Sequence, residues 1–213
     1  MWSYFDIETT GLDIVQCQFT CGVVAHNSEM HTFECPYKLS EFLVSIVQKT
    51  QTTLVTFNGL SFDFQFLAAK VSDNAPLAKQ LATLATHNHL DIMFAFLVNH
   101  GYYASMASFA APLKLAKTWS GEAAAESTDA AAVAAYCAED VNILRAIHEA
   151  SLTNGYLERK SQNGKLMVWA TPMNGLATVA TALVNESHNP PAQDWMTNPP
   201  SILKALEWTK ILL

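Results

Sequence analysis

Tyr4-Phe5-Asp6-Ile7-Glu8-Thr9-Thr10-Gly11 is the stretch on which the reading of this chain turns. Its residues are aromatic and β-branched, and they predict a buried strand from Trp2 to Ile7. Side chains on a strand alternate between its two faces. Asp6 and Glu8 therefore project together, and Phe5 and Ile7 project the other way. Two carboxylates side by side on a buried strand repel each other and resist desolvation. A divalent cation removes that cost, and Mg²⁺ and Mn²⁺ prefer oxygen ligands of this kind. The plainer alternative is an exposed edge strand carrying two harmless acids. The apolar flanks and the Thr9-Thr10-Gly11 turn weigh against it.

Outward from this strand, Val15 to Ala25 and Met30 to Pro36 read as two more strands joined around Asn27-Ser28, an antiparallel meander. Ser40 is a candidate cap for a helix to about Lys49, with Phe42, Leu43, Ile46 and Val47 on one face. Thr52 to Phe57 reads as a strand. Asn58-Gly59 then breaks the chain, and a helix is expected from Ser61. Residues 76–86 predict a helix, and residues 89–98 a strand end passing into a short helix. A helix broken by Pro112 is expected over 105–118. The clearest helix starts after Ser127-Thr128-Asp129, runs from Ala130 to about Leu152, and stops at Asn154-Gly155. Residues 156–170 read as short strands or irregular chain, and 171–184 as one more helix. Strands first, then helices alternating with strands, give an α/β layer architecture with a mixed sheet.

Composition limits the function classes. The chain has 213 residues, half of them hydrophobic and 15% charged, which suits one sizeable core and excludes a disordered chain. Residues 1–186 read as one domain, and the Pro- and Asn-rich residues 187–213 as a tail that packs back onto it or binds a partner. Ile202, Leu203, Leu206 and Trp208 are the tail's apolar contacts in a terminal helix over 201–210, and Trp195 is a further packing residue. The four cysteines are too few and scattered for a disulfide framework or paired zinc spacing. No apolar run reaches the roughly 18–20 residues of a membrane span, and there is no signal-peptide core. A cytoplasmic protein with reduced thiols is the expectation. With 12 basic and 19 acidic residues the net charge is −7. Such a chain does not hold duplex nucleic acid by phosphate neutralisation alone. Contact with nucleic acid requires metal ions, a small footprint or single strands.

Two further acids complete the pattern. Asp63 lies in Asn58-Gly59-Leu60-Ser61-Phe62-Asp63, after a strand and a turn and at the opening of a helix. Taken alone it is an ordinary partner for a helix dipole. Asp140 lies in Tyr136-Cys137-Ala138-Glu139-Asp140, four residues after Tyr136 and on the same helical face. That pairing alone is common. In combination and order, these residues resemble the DEDD exonucleases of the RNase H-like superfamily, over roughly residues 1–155. Asp6 and Glu8 match the first motif, Asp63 the second and Asp140 the third. Tyr136 gives the Y-x-x-x-D pattern of the tyrosine subclass; where the other subclass has histidine, this chain has Ala135. The setting of the second and third motifs is most similar to exonuclease domains related to family-B DNA polymerases of bacteria and phages.

The resemblance implies an RNase H-like fold, a five-stranded mixed sheet with helices on both sides. It implies a 3′→5′ exonuclease that uses two divalent ions, Mg²⁺ or Mn²⁺, to release nucleoside 5′-monophosphates. Asp6 would touch both ions, Glu8 and Asp140 would hold the ion that activates water, and Asp63 would hold the other. Tyr136 would orient or help deprotonate the attacking water. The expected substrate is a single-stranded or unpaired DNA 3′ end, and a polymerase or recombination protein is a possible partner. Thr9, Gly11, Leu12, Asn58 and Phe62 are the candidates for gripping the terminal nucleotide, with Leu12 as a wedge beside the last base. A turn amide and a core aromatic are the plainer accounts of Asn58 and Phe62. An exoribonuclease, a silent binding module and a structural phage or replisome adaptor are the competing functions.

Several residues read as structural. Asp91 is explained equally well as an extra site acid or a helix cap. Lys114 and Lys117 could meet phosphate, but an ordinary solvated face is the simpler reading. His87 and His89 are expected in a loop, and Cys17 and Cys21 in the core or on strands.

Overall fold

The computed structural model describes residues 1–161, 163–171, 175–184, 205–210 and 212. The opening stretch forms β1, Trp2–Thr9, at the centre of a five-stranded sheet. The other strands are β2 (Phe19–His26), β3 (Glu29–Phe33), β4 (Thr53–Thr56) and β5 (His89–Asp91), in the order β3-β2-β1-β4-β5. β1 to β3 form the antiparallel meander, turning at Asn27, whose φ is +56°. β4 and β5 add parallel to β1. The sheet is therefore mixed.

Some boundaries differ from the expectation. β2 begins at Phe19, not Val15, because Asp13 folds the preceding residues into a turn. Its carboxylate accepts the Val15 and Gln16 N–H groups, and its carbonyl accepts that of Cys17. Helix α1 spans Pro36–Thr50 and starts at proline, which is pre-set for a first helical turn; Ser40 is already inside and its hydroxyl donates to the Pro36 carbonyl. Helix α2 is Asp63–Lys70, two residues later than Ser61, and α3 is Ala75–His87. Helix α4 is Ile92–His100, and α5 is Met106–Ala110, followed by a 3-10 turn at Ala111–Leu113. The helix expected to reach 118 thus ends near Pro112, and Lys114 adopts φ +60°. An unanticipated short helix, α6, covers Gly121–Glu126. Helix α7, Ala130–Asn154, has the expected ends: the Asp129 side chain caps it, and Gly155 at φ +70° stops it.

The alternation along β1 sorts the core into two layers. Phe5 and Ile7 pack with Leu39, Leu43, Phe64, Phe66 and Leu81 of α1, α2 and α3. Tyr4 packs on the opposite side with Val133, Cys137, Val141, Leu144 and Ile147 of α7. Helices thus cover both faces. His89 is fully buried on β5, a correction to the loop assignment. Its Nε2 lies 2.7 Å from the Thr56 hydroxyl and its Nδ1 3.2 Å from the Ala85 carbonyl. Cys17 and Cys21 are buried as expected.

A two-stranded ribbon, β6 (Tyr156–Lys160) with β7 (Leu166–Ala170), follows α7. Helix α8 is Val179–Val184, shorter than the expected 171–184, and α9 is Glu207–Lys210. Leu206 is buried, and Trp208 donates its indole N–H to the Leu60 carbonyl at 3.2 Å. Most of the expected tail, including Trp195, Ile202 and Leu203, lies outside the described residues. No described helix is long and apolar enough to cross a membrane.

Candidate active site

The crevice begins where two parallel strands part. β4 pairs with β1 only at Trp2, Ser3 and Tyr4, and β4 ends at Thr56. Beyond Tyr4 the carboxyl half of β1 pairs with no strand on that side among the described residues, the usual place for a site in an open α/β sheet. Asp63, the first residue of α2, enters the gap, and its Oδ1 accepts the Ile7 N–H at 3.1 Å. A backbone donor left by the sheet is thereby satisfied, and the acid is fixed against the strand that carries Asp6 and Glu8.

Helix α7 closes the other side. Its first turns are rich in alanine, which permits close approach to the sheet. The Cys137 thiol donates to the Asp6 carbonyl at 3.4 Å and lies 4.0 Å from Asp6 Oδ2. Tyr136 and Asp140 flank it on the buried face. Asp6, Glu8, Asp63, Tyr136 and Asp140 all line one open cleft of about 750 Å³.

Burial raises every acid in the cluster. Burial, then repulsion from Asp63, Glu8 and Asp140, holds Asp6 well above the usual carboxylate range. Burial, then the Asp140 charge, pushes Glu8 up to about 8. Asp63 rises to about 7, again by burial, although the Ile7 N–H pulls it down. Asp140 is raised by burial, with Lys117 opposing. The Tyr136 hydroxyl is pushed up to about 12 by burial.

These groups fit a divalent cation. Asp6, Glu8 and Cys137 bring one ligand atom each within 4.8 Å of one another. Asp140 Oδ1 is buried without a hydrogen-bond partner among the described residues. The carboxylate oxygens of this set, with the unpaired oxygen of Asp140, are the donors suited to Mg²⁺ or Mn²⁺; the soft Cys137 thiol is not.

Lys117 is a site residue that its sequence context assigns to a solvated face. Its ammonium lies 2.5 Å from Asp140 Oδ2 and 3.1 Å from the Tyr136 hydroxyl. Burial disfavours its charge, but the bonds to Asp140 and Tyr136 outweigh this and raise its pKa. The solvated-face reading of Lys117 is thus corrected. Next to it, Thr118 donates its N–H and hydroxyl to Glu139, tying this loop to α7. Lys114 does not line the cleft.

Thr9, Gly11, Leu12, Asn58 and Phe62 all line the cleft. The Thr9 hydroxyl donates to the Gly11 carbonyl at 2.6 Å and shapes the turn after β1. Leu12 is 84% exposed, an apolar side chain held at the rim. Asn58 sits at φ +70° and Phe62 stacks on Phe66. The structure adds Met93, Ser105, Met106 and Ala125 to the lining. No local spacing could have shown that α4, α5 and α6 meet there.

The RNase H superfamily profile matches residues 3–151, so the chain belongs to that superfamily, and its sheet and helices are those of an RNase H-like α/β fold. No curated protein matches the chain. Among solved structures, one of exonuclease I, described in connection with processivity, is similar at 12% identity and TM-score 0.46, covering 71% of this chain and 40% of that one. A product-bound exonuclease I is similar at 11% identity and TM-score 0.42, covering 71% and 43%. The apo form of a nuclease is similar at 16% identity and TM-score 0.36, covering 69% of each. The chain thus spans less than half the length of those exonuclease I chains.

Proposed function

We propose that this protein is a nuclease, and specifically a metal-dependent 3′→5′ exonuclease of the tyrosine-type DEDD class, related to the exonuclease domains of family-B DNA polymerases. The observation that carries the reading is the cluster of Asp6, Glu8, Asp63 and Asp140 at the open end of β1, beside Tyr136. Four acids whose pKa values burial raises, two of them further by repulsion from their neighbours, gain from ionising when cations join them.

When bound, two divalent ions lower the pKa of water and neutralise charge on the phosphoryl oxygens. Asp6, Glu8 and Asp140 would hold the ion that activates water, and Asp6 and Asp63 the other. A phenol pushed up to about 12 is a poor base, so Tyr136 orients the attacking water rather than ionising. Lys117, beside Tyr136 and Asp140, is the ammonium available to the scissile phosphate. Leu12 and Phe62 offer apolar surface to a terminal base, and aromatic stacking of this kind tolerates any sequence.

With a net charge of −7, a short single-stranded or frayed DNA end suits the protein better than duplex. The product is a nucleoside 5′-monophosphate. A polymerase or recombination protein that presents such ends is the matching partner, and four free cysteines suit a reducing cytoplasm.

The test is a gel assay on 5′-labelled single-stranded DNA and RNA of equal sequence, in Mg²⁺, Mn²⁺ or EDTA, with Asp6→Ala alongside. The expected result is a metal-dependent ladder on DNA that Asp6→Ala lacks. A ladder on RNA alone moves the assignment to an exoribonuclease. Binding without cleavage, by folded protein in either metal, overturns the enzyme reading in favour of a binding module.

A further inference from the structure

Asp91 lies outside the carboxylate cluster, yet its side chain is 1% exposed. It ends β5 and caps α4, with Oδ1 accepting the Phe94 N–H at 3.2 Å. A cap needs only one such bond. Here the same oxygen also takes the Asn58 N–H at 3.0 Å, and Oδ2 takes the Leu60 N–H at 2.9 Å. The N–H between them, that of Gly59, goes to the Thr56 hydroxyl at 3.2 Å. A Cβ on Gly59 would stand 2.5 Å from that hydroxyl, so the turn lies directly on the end of β4. Each N–H from Asn58 to Leu60 is thus gripped from below by β4 or β5. Asn58 is held at φ +70°, a conformation that few side chains adopt. Three residues beyond Leu60, Asp63 reaches across to the Ile7 N–H on β1.

We infer that Asp91 is a positioning residue: by gripping the Asn58–Leu60 turn it sets where Asp63, Asn58 and Phe62 stand against β1, and so tunes ion affinity and turnover without touching ion or substrate. The inference rests on the proposed nuclease reading. Its geometric basis is that one carboxylate joins three elements, β5, α4 and the turn into α2. A residue serving α4 alone would leave the turn's N–H groups to water or to each other. Burial pushes Asp91 up to about 6, with the Leu60, Asn58, Phe94 and Met93 N–H groups pulling it down, so at pH 8 it is the anion that those donors require.

Two substitutions separate the turn from the cap. In Asp91→Asn the amide oxygen takes the place of Oδ1, where two donors converge, and the amide N–H₂ then opposes the Leu60 N–H. In Asp91→Ser the single hydroxyl oxygen caps α4 and leaves the turn unheld. Both residues are N-caps as good as aspartate, so α4 is preserved.

The full chain is measured at pH 8 by Mn²⁺ calorimetry, by steady-state cleavage of a single-stranded oligonucleotide, and by deuterium exchange of the 58–63 amides. Expected is weaker Mn²⁺ binding and lower kcat, about tenfold in Asp91→Ser and less in Asp91→Asn. Exchange at 58–63 should speed up in the same order, while α4 exchange stays near wild type. Unchanged Mn²⁺ affinity and kcat in both folded variants overturns the inference. If wild type neither binds Mn²⁺ nor cleaves, the nuclease reading fails by itself. The exchange measurement still decides Asp91, since unaltered protection at 58–63 refutes its grip on the turn. If Asp91→Ser does not fold, Asp91→Asn supplies all three readouts.

Discussion

Replacing Lys117 with methionine should turn the carboxylate cluster against the fold, by an amount the structure fixes. The ammonium is 2.5 Å from Asp140 Oδ2, with side-chain exposures of 25% and 4%. Methionine keeps the apolar stem and removes the charge. Breaking a fully buried pair by deleting one partner costs about 3–5 kcal/mol. The quarter exposure of Lys117 lets water soften this to about 2–3 kcal/mol. For a chain of this size that lowers the melting temperature by about 5–10 °C. The pH dependence comes from the acid. The lysine pKa is raised above its ordinary value, so its contribution is complete below that value and flat from pH 5 to 8. Asp140 is raised by burial, so it takes up a proton as pH falls and needs the lysine less. The gap between variant and wild type should therefore be widest at pH 8 and narrower at pH 5. Mn²⁺ at pH 8 should narrow it again, and Lys117→Met should need less Mn²⁺ for half its stabilisation, because no ammonium has to be displaced. Thermal melts in EDTA and in graded Mn²⁺, at both pH values, read all of this. Equal melting of the two proteins at pH 8 in EDTA refutes the reasoning, as does a gap that Mn²⁺ leaves untouched.

Tyr136→Phe removes the hydroxyl bonded to Lys117 while keeping the buried ring. Single-turnover cleavage should fall about a hundredfold through loss of water positioning, with Mn²⁺ affinity near wild type. On α7, the buried His148 has its Nδ1 3.1 Å from the Tyr4 hydroxyl, and burial pushes it down to about 4, so its contribution is present above the unfolded value of 6.5 and is lost as pH falls through about 4. In urea unfolding at pH 3.5 and pH 7, His148→Phe should lose roughly 3 kcal/mol less stability on acidification than wild type. Gly22 on β2 has no room for a methyl: a Cβ would lie 2.5 Å from Leu39 Cδ2 and 3.3 Å from Ile7 Cγ2. Gly22→Ala should cost about 1–3 kcal/mol in the same titration.

Local patterns were enough for those parts of the molecule that depend on neighbours in the chain. Alternation places Phe5 and Ile7 opposite Asp6 and Glu8, and β1 sends Phe5 and Ile7 into one core layer and Tyr4, which shares the face of the two acids, into the other. The cap at Asp129 and the stop at Gly155 gave the ends of α7, because helix ends are local hydrogen-bonding problems. The Y-x-x-x-D spacing put Tyr136 and Asp140 on one face, and both line the cleft. Less regular chemistry sets the other ends: Pro36 starts α1 ahead of Ser40, and the Asp13 turn delays β2 to Phe19.

Tertiary structure decided what lies across those elements. Lys117 meets Asp140 from 23 residues away, and no periodicity encodes that distance. His89 reads as a loop residue beside His87, but the parallel pairing of β5 with β4 buries it against Thr56. Asp91 reads equally as an extra site acid or a helix cap, and it caps α4; that it also grips the turn before Asp63 follows only from the packing of β4 against β5. The crevice itself exists because β4 stops at Thr56 while β1 runs on to Thr9. A residue's own spacing fixes the direction of its side chain, but the charge, ring or backbone it meets there depends on where separate strands and helices come to rest.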